Sequence, residues 1–144
     1  MFGHSDTPQD MFEKIIKSVL GFHGEYGINT FITGGYGSFD RLAEKAVLTL
    51  KKTHPDIKYY RLLHYHPEER KTEFFKEWDG TVYPEGMETV PRRYAIVRAN
   101  RKMIDLSDGV ICFSWHIGNS RELYEYALRQ QKKRGLMVLN ISEK

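Results

Sequence analysis

Apolar positions recur along this chain at two spacings, and the two alternate. Met11, Phe12, Ile15, Ile16, Val19 and Leu20 follow the three-and-four rhythm of a helix that buries one face. Thr7 as N-cap and Pro8 in the first helical position open that helix, and the glycines from Gly21 to Gly27 close it. Ahead of it, Phe2-Gly3-His4 reads as the end of a first strand. Asn29 to Thr33 is a compact apolar strand that runs into Gly34-Gly35-Tyr36-Gly37-Ser38. Ser38 then caps a second helix whose inner face is Leu42, Ala43, Ala46, Val47 and Leu50. Lys51, Lys52, His54 and Pro55 mark its end.

The alternation continues with a strand over Ile57 to Tyr65. From 66 to 90 the pattern dissolves into charged, aromatic and Gly/Pro-containing sequence. A segment of that length inside a domain carries function or small elements of its own. Pro91 opens a helix to about Leu106, Gly109 to Trp115 is a strongly apolar strand, and His116 to Asn119 is a second strand-to-helix turn. Ser120 to Arg134 is a helix and Leu136 to Ile141 a closing strand. Strands separated by helices predict an α/β, Rossmann-like three-layer sandwich, a mostly parallel sheet with helices on both faces. Its 144 residues fit one domain, 1–144.

In such a sheet, ligands bind beyond the carboxyl ends of the strands. Both glycine-containing turns fall on that edge, with His4, His64, His66 and His116. A tight turn into a helix leaves the first helical N–H groups unpaired, and the helix dipole adds positive charge there, so a phosphate is the expected guest. Gly34, Gly35, Tyr36, Gly37 and Ser38 form one half of the expected site, and Gly118, Asn119 and Ser120 the other. Tyr36 and Trp115 are the aromatics best placed to stack on a base, ahead of Trp78 and Tyr83. Asp40 either hydrogen-bonds the ligand or favours its own helix N-terminus. Ser38 and Ser120 sit in no nucleophile motif, and capping or phosphate binding accounts for both.

Composition narrows this only slightly. Hydrophobic residues are 40% and charged residues 28%, ordinary for a globular domain, and a net charge of +3 does not by itself imply nucleic acid. The lone Cys112 suits a reducing compartment, and no stretch reads as a membrane span or signal peptide, so a cytoplasmic protein is expected. Basic residues cluster at Arg92, Arg93, Arg98, Arg101 and Lys102, and again at Arg129, Lys132, Lys133 and Arg134. Arg98 and Arg101 share a helix face and could clamp a phosphate, with Arg93 nearby; a solvated basic face is the alternative. His64 and His66 have metal-compatible spacing but no recognisable third ligand, so no metal and no cofactor is expected. Glu122 stands three residues after Asn119, the capping-box spacing, and could equally serve a ribose or a glycosidic bond.

Gly34-Gly35-Tyr36-Gly37-Ser38-Phe39-Asp40, followed by Lys51-Lys52-Thr53-His54-Pro55-Asp56-Ile57, resembles the small bacterial proteins of the SLOG superfamily. Further matches are Thr81-Val82-Tyr83-Pro84, Val90-Pro91-Arg92-Arg93-Tyr94-Ala95-Ile96, Asn100, Met103 and Ser107-Asp108. These Rossmann-like domains are related to the DNA-processing protein DprA and to the LONELY GUY phosphoribohydrolases. The resemblance implies binding of a nucleotide or nucleotide-derived ligand, as sensor or sequestering protein, and a homodimer. It leaves two alternatives, N-glycosidic cleavage of a nucleoside monophosphate and single-stranded nucleic-acid binding. Against the LONELY GUY catalytic turn, Gly118 and Glu122 match, but Ser114-Trp115-His116 replaces the Pro-Gly-Gly start. The family's catalytic arginine falls in register on Ala99, between Arg98 and Arg101. Binding is therefore expected ahead of catalysis by Glu122, Arg98 and Arg101.

Overall fold

Among the described residues, the strand and helix alternation folds into six short strands and four helices. The computed structural model describes residues 1–65 and 76–142. In chain order these are β1 (Phe2–Gly3), α1 (Phe12–Tyr26), β2 (Thr30–Thr33), α2 (Ser38–Lys51), β3 (Lys58–Leu62), β4 (Gly80–Val82), α3 (Ala95–Leu106), β5 (Gly109–Phe113), α4 (Asn119–Arg134) and β6 (Met137–Asn140). Single 3-10 turns cover Gln9–Met11, Met87–Thr89 and Arg92–Tyr94. The earlier part of the irregular 66–90 segment, His66 included, lies outside the described residues.

Every strand pairing among the described residues is parallel. The strands form two three-stranded sheets, ordered β4-β3-β2 and β1-β5-β6. The Met1 amino group donates to the Ile32 carbonyl at 2.7 Å and ties β1 to β2. From β1 the chain steps outward through β2, β3 and β4, then returns to pair β5 with the other side of β1. Chain direction across the sheet therefore reverses between β1 and β5, the place where open α/β sheets leave a crevice for a ligand.

Side-chain alternation along the strands makes three layers. Phe31, Tyr59, Ile111 and Phe113 bury against α1 and α2, with Ile15, Val19, Phe39, Ala43 and Val47. The opposite face puts Val110 and Cys112 against Leu123, Tyr124 and Ala127 of α4, and Leu62 against Ala95, Ala99 and Met103 of α3. This is the Rossmann-like sandwich that the sequence pattern predicts, built with only three strands in each sheet. Among the described residues no helix is long and apolar enough to cross a membrane.

The helix ends differ from expectation in an instructive way. Thr7 does not cap α1; its hydroxyl donates to the His4 carbonyl at 2.6 Å, and Pro8 and Gln9 lead into a 3-10 turn instead. Helix α1 runs through Gly21 and Gly24 and stops only at Gly27. Gly37 and Gly118, not Ser38 and Asn119, are the N-caps of α2 and α4. Asn119 is thus already helical, and the Asn119–Glu122 capping box does not form.

Candidate functional site

Each strand-to-helix turn at the carboxyl edge is held by residues distant in sequence. In the first turn, glycine is required by what presses on it. A Cβ at Gly34 would lie 3.0 Å from His64 Cε1 and 3.2 Å from Asp40 Oδ2, and one at Gly35 would collide with the Arg61 guanidinium. Gly37 has φ of 96° and would bring a Cβ to 2.7 Å from Ser5 Cα, so both backbone conformation and space exclude a side chain.

The polar groups of this turn are largely engaged. Ser38 donates its N–H to the Ser5 carbonyl at 3.0 Å and its hydroxyl to the Thr7 carbonyl at 2.5 Å. The Asp40 carboxylate accepts the Tyr36 N–H at 3.0 Å. Burial pushes Asp40 up to about 6, against that hydrogen bond and the nearby Met1 amino group, Arg61 and Arg41. The N-terminus of α2 therefore already holds an anion of its own.

Arg61 underlies the turn. It pairs with Glu44, donates Nε–H to the Tyr59 hydroxyl at 3.4 Å and lies 4.2 Å over the Trp78 ring. Trp78 is accordingly buried rather than presented for stacking. His64, at the end of β3, is 4% exposed, and neither ring nitrogen has a hydrogen-bond partner among the described residues. Burial, reinforced by the charge on Arg61, holds it down at about 4, so the ring is neutral near pH 7. The Tyr36 ring is 5.0 Å away, tilted by 58°, and 41% exposed.

The second turn is built on β1. His4 Nε2 accepts the backbone N–H groups of Trp115 at 3.0 Å and His116 at 3.3 Å, which fixes the proton on Nδ1. Burial, then the neighbouring His116 charge, lowers the His4 pKa. His116 stacks on it at 3.6 Å with 8° between the planes. Its Nδ1 faces the Ile117 carbonyl at 2.9 Å and its Nε2 faces Asp6 Oδ1 at 3.2 Å. Neither oxygen can donate, so the two contacts are both hydrogen bonds only in the imidazolium form and favour that form. The Ile117 carbonyl and then Asp6 raise the His116 pKa, and the same contact lowers that of Asp6.

His4, Asp6 and His116 bring ligand atoms within 4.8 Å of one another, a grouping that could hold a metal ion. A metal on His4 Nε2 would have to displace two backbone N–H donors, and nearly parallel rings aim their in-plane lone pairs alongside rather than toward one point. The geometry suits a proton better. Beyond His116, Gly118 has open space at its Cβ position among the described residues, and as the N-cap of α4 it has no side chain with which to cap the helix. Trp115 is 59% exposed beside it. The Ser114 hydroxyl is buried without a hydrogen-bond partner among the described residues.

No protein-family model matches this chain, and no curated protein matches it. The site is thus described by its own geometry.

That geometry brings Gly34, Gly35, Tyr36, Gly37, Ser38 and Asp40 together with His64, and Trp115, Gly118, Asn119 and Ser120 together with His4 and His116. The arginines are arranged otherwise. Arg93 lies 4.8 Å over Tyr94, and Arg101 lies 4.4 Å over Tyr126. Arg98 is exposed on α3. Arg101 and Glu122 line a cavity of about 210 Å³ between α3 and α4, with Tyr126 and Arg129. Arg134 donates to the Ile104 and Ser107 carbonyls at 2.6 and 3.0 Å and so closes the end of α3. Asp6 was not among the residues singled out from sequence. The only hint was its place two residues after His4.

Proposed function

We propose that this protein binds a nucleotide or nucleotide-derived phosphorylated ligand across the carboxyl edge, as the SLOG resemblance implies, with the phosphate at the N-terminus of α4. The observation that carries this reading is His116. Its ring, whose two acceptor contacts favour the imidazolium form, precedes the open, dipole-positive start of a helix at the β1/β5 switch point. A phosphate supplies acceptors for His116 Nε2–H and for the first N–H groups of α4. Asp6, the exposed partner of His116, is the group a phosphate would displace. Trp115 offers an accessible aromatic face next to that anion position.

Thermal shift and titration calorimetry with ribose 5-phosphate and the four common nucleoside 5′-monophosphates test the reading. A ligand at a hundred times its dissociation constant stabilises by about 2.7 kcal/mol, a shift easily measured. His116→Gln should weaken binding of whichever compound binds. No response to any of the five at millimolar concentration would refute it.

A second reading, a nucleoside monophosphate phosphoribohydrolase, is favoured by one observation: Glu122 and Arg101 line the same cavity. Chromatography for free base after incubation with monophosphates decides it. Release that Glu122→Gln leaves unchanged would exclude Glu122 as the catalytic residue.

A further inference from the structure

We propose that a second copy of this chain docks on the outer edge of β6. The two β6 strands pair antiparallel about a two-fold axis, and the two α1 helices lie side by side on one face of the joined sheet.

Strand β6 ends its sheet, and among the described residues no strand pairs with its outer edge. Met137 N–H donates to the Asp108 carbonyl at 3.4 Å and Ile141 N–H to the Cys112 carbonyl at 2.8 Å, so these odd-numbered residues turn their backbone to β5. The N–H and C=O of Val138, between them, therefore point outward. Such an edge is a template for another strand, and natural sheets blunt theirs with charge, proline or a bulge. Met137-Val138-Leu139-Asn140 carries neither charge nor proline, and Leu139 is 39% exposed. Beside the edge runs a groove of about 510 Å³, bordered by Lys17, Gly21, Glu25 and Tyr26 of α1 and by Met137 to Leu139 of β6.

The charges along α1 select the occupant. Lys17 and Glu25 stand four residues before and four residues after Gly21, and both are exposed. A two-fold axis passing by Gly21 and Val138 runs the two α1 helices antiparallel and sets each Lys17 opposite the partner's Glu25. Among the described residues nothing lies within 4 Å of a Cβ position on Gly21, so the approach is unobstructed there. The same axis sets Val138 opposite its own copy, where the two residues exchange both N–H···O=C bonds, and covers Leu139 with the partner's Met137. Helix α1 packs over β5, where Phe22 covers Gly109, and borders β6 in the groove. At about 4.8 Å per strand the two helices are then roughly 10–14 Å apart, within reach of a lysine and a glutamate extended toward each other. An unrelated strand would meet the open backbone equally well, but the chain's own copy brings these two charges together twice. The patch is the same on both sides, so association closes at two.

Sedimentation equilibrium on the full chain, from low micromolar to about 100 μM, should show monomer and dimer and no larger species. Lys17→Glu and Glu25→Lys each set like charges across the axis and should raise the dissociation constant about tenfold or more. The double variant Lys17→Glu/Glu25→Lys restores opposite charges and should return it to within about threefold of wild type. Both positions are exposed on the helix, so neither change disturbs the core. In wild type, exchange of the Val138 amide should slow as protein concentration rises. A chain that stays monomeric at about 100 μM would overturn the proposal. So would single variants that dimerise as wild type does, a double variant as weak as the singles, or a Val138 amide that exchanges at one rate at every concentration.

Discussion

Replacing Asp40 by asparagine should make the protein's stability respond to pH in a way that reports on both buried groups of the first turn. Asp40 has its pKa raised from 3.8 to about 6, so between those values the folded state holds a proton that the unfolded state has released. Its contribution is present at low pH and is lost as pH rises through 6. His64 runs the other way. Its pKa is lowered from 6.5 to about 4, so the unfolded state takes up the proton first, and stability is lost as pH falls from 6.5 to 4. Each proton changes stability by about 1.4 kcal/mol per pH unit inside its window, giving an upper bound of about 3 kcal/mol for each group. In wild type the two slopes oppose and largely cancel between pH 4 and 6.

Asparagine keeps an oxygen for the Tyr36 N–H and removes only the titration. Asp40→Asn should therefore match wild type near pH 4 and exceed it by about 1–2 kcal/mol at pH 6, the bound being discounted for partial exposure. The charged groups that face Asp40 are Arg61, Arg41 and the Met1 amino group. The Met1 amino group is lowered by burial to about 6 and is mostly protonated over the lower part of this range. Urea unfolding followed by tryptophan fluorescence at pH 4, 5 and 6 measures the difference. His64→Phe should show the complementary change, its stability rising relative to wild type as pH falls from 6 to 4. A difference between Asp40→Asn and wild type that stays constant from pH 4 to 6 would refute the buried-carboxyl account.

The other turn and the helix ends give two further predictions. Asp6→Asn removes the carboxylate facing His116, so the His116 pKa, followed by NMR, should fall toward the ordinary histidine value. The raised pKa makes His116 stabilising at low pH, with that contribution lost as pH rises through its folded value; in Asp6→Asn this loss should begin at lower pH, while ribose 5-phosphate should bind more tightly. Arg134→Ala removes two donors from the end of α3 and should cost about 1 kcal/mol, seen as a melting temperature lower by a few degrees. Amide exchange should then quicken around Ser107.

The parts of this fold that periodicity can encode were legible in the chain. The inner face of α2, Leu42, Ala43, Ala46, Val47 and Leu50, is buried as its spacing predicts, because a helix face depends only on neighbours three and four residues away. Caps failed where a tertiary partner outbid the local one. Ser38 turns to Thr7, thirty-one residues away, once β1 and β2 are side by side. The glycine turn was readable as a turn, but the reasons for its glycines, the side chains of His64, Arg61 and Ser5, come from other elements. The His4–His116 stack joins residues 112 apart. It exists because β1 pairs with the last strand but one, and no local pattern encodes that pairing.

The two turns look alike in sequence yet present opposite chemistry, and the third helical position accounts for it. Counting from the Gly37 cap, that position in α2 is Asp40, whose carboxylate bends back onto the Tyr36 N–H and fills the anion position of its own helix. Counting from the Gly118 cap, the same position in α4 is Arg121. Its side chain turns away to Glu125 at 3.3 Å and leaves the N-terminus open. Arg121→Glu should therefore give α4 the self-filled end that α2 has. Arg121 is exposed and its pair with Glu125 is a surface one, so the change should alter stability by less than about 1 kcal/mol. Ribose 5-phosphate affinity should nevertheless fall at least about tenfold, whereas Arg121→Gln should retain most of it. If Arg121→Glu binds ribose 5-phosphate as wild type does, the phosphate does not sit at the start of α4.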